Sequence, residues 1–137
     1  MSLEYRKVLY ANYHTTQSGR ASLTSAEKLF VREKKQFVSE ILPLLHSVPK
    51  TAKIFDMGCG SGSLLKGLKE AGFTQVMGMD LSEEQVKMAH DFGVSEVVLG
   101  DAMHFFRNSQ EQFDVITGMD IIEHFTKDEL VELLQLI

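Results

Sequence analysis

The sequence predicts an α/β domain in which an open parallel sheet carries helices on both faces. From residue 53 onward, short apolar runs that fit strands alternate with longer amphipathic segments that fit helices. The strand runs are apolar throughout, which is typical of parallel strands buried on both faces. Of the 137 residues, 44% are apolar, enough to give a single domain a core.

The predicted elements follow a regular order along the chain. An amphipathic helix begins at Thr24, and Pro43 bends or shortens its last turn. Residues 1–23 show no clear period and predict an N-terminal arm, so the domain itself spans 24–137. Strands are predicted at 53–57, 75–80, 95–101 and 113–120, with helices at 62–71, at 82–92 and from Thr126 onward.

Charge and cysteine content narrow the possible partners and location. The net charge is −5, which disfavours general binding to nucleic acid, because such binding depends on clustered Lys and Arg. Cys59 is the single cysteine, so no internal disulfide can form and a reducing compartment fits. No apolar stretch reaches the length of a membrane span. We therefore expect a cytoplasmic protein without membrane partners.

The stretch "IFDMGCGSGSLLKGL", residues 54–68, contains the strongest local signal. Gly58, Gly60 and Gly62 occupy alternate positions where a strand gives way to a helix. Glycine permits positive φ and lets a ligand approach the backbone closely. In open parallel sheets, ligands bind beyond the carboxyl ends of the strands. The stretch therefore predicts a ligand-binding turn.

Acidic residues near three strand ends bear on the kind of ligand. Asp56 lies inside the glycine motif, where it would repel a pyrophosphate and would suit a positively charged ligand. Asp80 can accept hydrogen bonds from a ribose diol, and Asp101 can accept one from an adenine amino group. The spacing G-x-G-x-G also differs from the dinucleotide fingerprint G-x-G-x-x-G. Asp80 by itself fits either NAD or another adenosine ligand.

Four segments together carry a family resemblance: "DMGCGSG", "GMDLS", "GDA" and "FDVITGMDIIEHF". They resemble the class I methyltransferases that use S-adenosylmethionine, from about residue 38 to the end of the chain. The small-molecule methyltransferases of ubiquinone and menaquinone biosynthesis look most similar. The resemblance implies a Rossmann-like sheet with strand order 3-2-1-4 and a small-molecule methyl acceptor.

The same resemblance implies a cofactor site for S-adenosylmethionine. The glycine turn would hold its methionine and ribose part, the acid after the second strand its ribose, and the acid after the third strand its adenine. The end of the fourth strand would line the methyl-transfer site. The implied residues are Asp56, Gly58, Cys59, Gly60, Asp80, Leu81, Asp101, Ala102 and Met119.

A hydroxyl acceptor would require a base, and His124 in "IIEHF" is the best candidate in the sequence. A purely structural histidine ahead of a helix cap explains it about as well. Tyr13, in the arm, is a weaker candidate for a residue that closes over the cofactor. Cys59 has no nearby residue that would activate it as a nucleophile. No metal-ligand spacing occurs among His, Cys, Asp and Glu.

The sequence contains fewer predicted strands than the family's full sheet. The family's full sheet has seven strands, whereas this sequence reaches the fourth strand and the helix after it. We therefore expect the N-terminal part of a longer methyltransferase domain. An apolar edge strand can pair with another chain, so self-association through 113–118 is expected. Two alternatives stay open: an NAD-dependent oxidoreductase half-domain, and a non-catalytic module for cofactor binding or interaction.

Overall fold

The structure, a computed structural model, describes residues 23–137. Most of the predicted arm, including Tyr13, lies outside the described residues. The helices are α1 (Leu23–Ile41), α2 (Ser63–Glu70), α3 (Glu83–Asp91), α4 (Ala102–Asn108) and α5 (Lys127–Leu136). The strands are β1 (Lys53–Met57), β2 (Gln75–Asp80), β3 (Val97–Leu99) and β4 (Val115–Thr117). Short 3₁₀ helices form at Leu42–Leu45 and Ile122–His124.

The four strands form one parallel sheet in the order β3-β2-β1-β4. This confirms the predicted fold class and strand order. In the register, Asp56 of β1 lies opposite Gly78 of β2 on one side and Thr117 of β4 on the other. Because the strands are parallel, their carboxyl ends meet at one edge of the sheet, where ligands bind in such folds.

The side chains of β1 alternate between two cores, as the pleat of a strand requires. Ile54 is fully buried in a core shared with residues of α1, α2 and α3. Phe55 is fully buried on the opposite face, in a core shared with residues of α4 and α5. Helices thus cover both faces of the sheet, which explains why the strand segments are apolar throughout.

The transition from α1 to the sheet follows the chemistry of proline. The α-helix ends at Ile41, and Pro43 falls at the start of the short 3₁₀ helix that follows. Proline lacks the backbone N–H that would continue the helical hydrogen bonds, and its ring clashes with the preceding turn. The predicted shortening of this helix at Pro43 is therefore confirmed.

The third and fourth strands are shorter than the sequence suggested: 97–99 instead of 95–101, and 115–117 instead of 113–120. Two residues before β4, Phe113 packs against the Phe55 ring, with 4.9 Å between centroids. The Asp114 side chain accepts a hydrogen bond from the Lys53 backbone N–H at 2.8 Å. At the other end, the chain turns sharply at Asp120, whose φ is 54°. These contacts leave three residues of β4 in the ladder.

Within residues 23–137, the structure contains no helix with the length and apolar character that crossing a membrane requires.

Candidate functional site

The glycine turn links the carboxyl end of β1 to α2 and requires its glycines for two reasons. Gly58, Gly60 and Gly62 all have positive φ, between 54° and 75°, where side chains are disfavoured. A Cβ at Gly58 would also lie 2.4 Å from Cδ1 of Ile121, so this glycine admits the segment that follows β4. A Cβ at Gly60 would meet only Oε1 of Gln85, at 3.6 Å, so this part of the turn leaves its backbone open.

Asp80, at the end of β2, fixes the position of this turn. Its Oδ2 accepts a hydrogen bond from the Gly60 N–H at 2.8 Å, and its Oδ1 accepts one from the Ser82 N–H at 2.9 Å. The residue is 8% exposed, and burial raises the pKa of its carboxyl group, while the backbone donors at Ser82 and Gly60 act against that rise. Asp80 thus connects two loops at the carboxyl edge of the sheet.

Asp56, in β1, is buried more deeply. It is 3% exposed, and Oγ1 of Thr117 in β4 donates a hydrogen bond to its Oδ1 at 2.7 Å. The pKa of Asp56 is raised to about 7, mainly by burial; the Thr117 hydrogen bond opposes the rise and the negative charge of Asp80 adds to it. The group therefore gains or loses its proton near neutral pH, and a nearby positive charge would favour the ionised form.

Asp101 follows β3 and begins α4. Its Oδ1 accepts a hydrogen bond from the Met103 N–H at 2.8 Å, which caps the helix. The side chain is half-buried, and both Asp101 and the next residue, Ala102, face the same cavity as Asp80. The helix-cap interpretation and the ligand interpretation of this residue are compatible, because one carboxylate oxygen serves the cap.

One cavity at the carboxyl edge of the sheet brings together every cofactor-site residue that the resemblance implied. All nine line it: Asp56, Gly58, Cys59, Gly60, Asp80, Leu81, Asp101, Ala102 and Met119. Sequence reasoning missed further lining residues, among them Glu33 and Phe37 on α1, Gln85 on α3, and Ile121 and Phe125 after β4. The packing of α1 against α2 brings Glu33 and Phe37 to the cavity, and no local sequence motif marks them.

His124 occupies a different position. It ends the 3₁₀ helix Ile122–His124, and its backbone N–H donates to the Ile121 carbonyl at 2.9 Å. The residues that line the cavity here are Ile121 and Phe125, and His124 is not among them. His124 thus directly precedes a cavity-lining residue in the sequence, but it does not itself line the cavity.

Cys59 is buried within the glycine turn, and its backbone N–H donates to the Met79 carbonyl at 3.2 Å. Burial, together with the charges of Asp56 and Asp80, raises the pKa of its thiol well above the ordinary value. A thiol held in the neutral form is a poor nucleophile. In the described part of the chain, no three His, Cys, Asp or Glu side chains are grouped so that they could hold a metal ion.

The fold and the site together define a class of protein. An open parallel sheet, a glycine turn after β1 and carboxylates near the ends of β1, β2 and β3 are the features of α/β domains that bind an adenosine cofactor. Residues 54–137 match the family described as "Methyltransferase domain". The chain belongs to this family, within the class I methyltransferases that depend on S-adenosylmethionine.

Sequence relatives agree with this assignment. The chain is 35% identical over 77 residues to the ubiquinone biosynthesis O-methyltransferase of Bordetella pertussis, a match covering 53% of this chain and 32% of that protein. It is 30% identical over 92 residues to the corresponding enzyme of Agrobacterium fabrum, covering 64% of this chain and 36% of that one. The chain thus matches about a third of the length of these relatives.

Solved structures share the fold. A SAM-dependent methyltransferase from Archaeoglobus fulgidus superimposes with a TM-score of 0.64 at 25% identity, over 90% of this chain and 49% of that one. Magnesium protoporphyrin IX methyltransferase from Synechocystis, solved with bound SAH, gives a TM-score of 0.68 at 19% identity, over 97% of this chain and 64% of that one. The second likeness concerns the fold alone.

The raised pKa of Asp56 predicts how stability depends on pH. Between the ordinary pKa of 3.8 and about 7, the folded state holds a proton that the unfolded state releases, so stability falls as pH rises through this window. Asp56→Asn removes the titration and keeps an oxygen that can accept from Thr117. We expect the variant to be more stable than the wild type above pH 7, by up to about 4 kcal/mol.

Urea unfolding of both proteins across the pH range measures this difference directly. The gain should shrink as pH falls and vanish at about pH 3, below the ordinary pKa of 3.8, because Asp56 is then neutral in the folded and the unfolded state, as Asn is at every pH. Other titrating groups are common to the two proteins and cancel in the difference. A gain that does not change with pH would contradict the assignment of the titration to Asp56.

Proposed function

We propose that this chain binds S-adenosylmethionine in the cavity at the carboxyl edge of the sheet and transfers its methyl group to a small-molecule hydroxyl. The observation that carries the proposal is the convergence of the glycine turn and three strand-end carboxylates on one cavity. Membership of the methyltransferase family and similarity to ubiquinone biosynthesis O-methyltransferases support the reaction class and the hydroxyl acceptor.

The charge of the cavity fits a cofactor with positive groups. Five carboxylates line it, and no Lys, Arg or His is found among the lining residues of the described chain. The five are Glu33, Asp56, Asp80, Asp101 and Asp120. S-adenosylmethionine carries a sulfonium and an ammonium group, whereas the pyrophosphate of NAD would meet like charges throughout. The electrostatics therefore favour the methyltransferase over the oxidoreductase alternative.

Each part of the cofactor has a proposed partner. The open backbone at Gly60 would lie against its methionine and ribose part, since nothing projects from the turn there. Asp80 would accept from the ribose hydroxyls, using lone pairs that its backbone donors leave available. The Oδ2 atom of Asp101 would accept from the adenine amino group, and Asp56 would lie near the ammonium group.

The chemistry asks the protein mainly to hold and shield the reactants. When bound, S-adenosylmethionine supplies a methyl group on a positively charged sulfur, which is already a good electrophile. The residues that follow β4, Met119 and Ile121, would form the apolar wall of the transfer site and exclude water. Holding the acceptor in line then lowers the entropic part of the barrier.

Calorimetric titration with S-adenosylhomocysteine tests the cofactor site, with NADH as the control ligand. We expect saturable binding of the first and none of the second. Asp101→Asn should weaken binding about tenfold or more, because the amide would place a donor opposite the adenine amino group. The variant keeps its helix cap, since Asn caps as well as Asp.

Asp91→Asn serves as the matched control, because it removes the same charge from an exposed position at the end of α3. Its affinity for S-adenosylhomocysteine should equal that of the wild type. Binding of NADH with comparable strength would count against the methyltransferase assignment. If Asp101→Asn and the wild type bind S-adenosylhomocysteine with equal affinity, Asp101 does not contact the ligand.

For a hydroxyl acceptor we propose His124 as the general base, reached by a small movement of the turn between Ile121 and Phe125. His124→Gln should then lower the methyl-transfer rate towards phenols and quinols by a factor of about 10² to 10⁴ and leave the affinity for S-adenosylhomocysteine unchanged. His46→Gln, on an exposed histidine beside Pro43, is the control. If His124→Gln leaves the methyl-transfer rate unchanged, His124 is not the general base and its role is structural.

We also propose that the protein acts in the cytoplasm and that it self-associates through β4. The single, unpaired Cys59 supports the first point. For the second, β4 pairs with β1 on one side and ends the strand order, so its outer backbone groups can pair with another chain.

Sedimentation velocity over a range of protein concentrations tests this association. We expect a coefficient that rises with concentration. Val98→Lys, on the opposite edge strand β3, where Val98 is 44% exposed, should leave the association intact. A monomer at every concentration would refute the association. Loss of the association in Val98→Lys would show that the chains associate through β3 instead of β4.

A further inference from the structure

We infer that Glu33 of α1 and Asp120 after β4 make the cavity discriminate by charge, favouring the sulfonium cofactor over the neutral thioether that methyl transfer leaves behind. This inference rests on the proposed function and adds to it two residues outside the glycine motif. Together they would act as determinants of specificity for the charge of the ligand.

Glu33 is placed where it can act on a ligand. It is half-buried on α1 and lines the cavity, and Phe37, one turn further along the helix, lines it too. One face of α1 therefore forms part of the cavity wall. Burial raises the pKa of Glu33, the neighbouring Arg32 lowers it, and the negative charge of Asp120 raises it. A positive ligand would relieve both unfavourable effects.

Asp120 is held in position by the backbone around it. It is the one residue other than glycine with positive φ in the described chain, at 54°. The next residue, Ile121, fits against Gly58, where a Cβ would come within 2.4 Å of its Cδ1. The turn after β4 is thus docked on the glycine turn. This docking holds Asp120 on the cavity wall, within electrostatic range of Glu33.

The cofactor and its product offer a clean comparison of charge. S-adenosylmethionine has one more positive charge than S-adenosylhomocysteine and differs otherwise by a single methyl group. Contacts with adenine, ribose and the methionine backbone are common to both ligands and cancel in the ratio of their affinities. Negative charges on the wall attract the ammonium group of both ligands, but only S-adenosylmethionine gains the further attraction to its sulfonium, which decreases with distance and dielectric screening.

Calorimetric titrations with both ligands at pH 8, where Asp56 is mostly ionised, give the ratio of the two dissociation constants. Glu33→Gln keeps the size of the side chain and removes its charge. Asp120→Asn does the same, and Asn tolerates the positive φ at this position as well as Asp does. We expect the preference for S-adenosylmethionine to fall by about threefold to tenfold in Glu33→Gln and by about twofold in Asp120→Asn, because Asp120 is exposed and solvent screens its charge.

Glu40→Gln is the matched control. It removes the same charge from the same helix, two turns beyond Glu33, at an exposed position outside the cavity. Its ratio should equal that of the wild type, which separates local charge from net charge. Thermal unfolding of each variant checks that the fold is kept, and Asp120→Asn serves as the second test if Glu33→Gln fails to fold.

The outcomes distinguish the inference from the function on which it rests. A reduced ratio in the cavity variants, with no change in Glu40→Gln, supports the inference. Binding of both ligands with the same ratio in all four proteins overturns the inference and leaves the proposed cofactor site intact. If the wild type binds neither ligand, the proposed function fails and the inference fails with it.

Discussion

The buried carboxylate of Asp80 is the constraint on which the rest of the site depends. Its two oxygens accept hydrogen bonds from the backbone of Gly60 and of Ser82, at 2.8 and 2.9 Å. The first fixes the glycine turn, and the second fixes the start of α3, where the Ser82 hydroxyl accepts from the Gln85 N–H. The Cys59 N–H adds a bond to the Met79 carbonyl. Backbone donors thus bind the two loops to one side chain, and the cavity lies between them.

This arrangement buries carboxyl groups, and burial disfavours their negatively charged form. The pKa values of Asp56 and Asp80 are both raised, first of all by burial, and each would be destabilising if it were left without hydrogen bonds. Thr117 and two backbone N–H groups offset part of the unfavourable free energy. A core of apolar residues would avoid the problem altogether. In the proposed function, the ammonium group of the cofactor would compensate the buried charge of Asp56.

The sequence predicts those parts of the molecule that local chemistry determines. The glycine turn, Asp80 and Asp101 could be placed because strand ends and glycine spacing are local patterns, and parallel strands bring their carboxyl ends together. Glu33 could not, because its position near Asp120 depends on how α1 packs against α2. The sequence also predicts a longer β4, because an apolar run does not show where the chain joins or leaves the sheet: Phe113 lies before the strand, and the chain turns at Asp120.

The position of the carboxylates also bears on how a rate enhancement could arise. In the proposed reaction, positive charge leaves the sulfur as the methyl group departs. Carboxylates near the sulfur therefore stabilise the reactant more than the transition state, which tightens binding without accelerating transfer. Asp80 and Asp101, at the adenosine end, bind equally well before and during transfer. Acceleration must then come from holding the acceptor in line with the sulfur–methyl bond. The segment after β4, packed by Ile121 against Gly58, is the part of this chain best placed to do that.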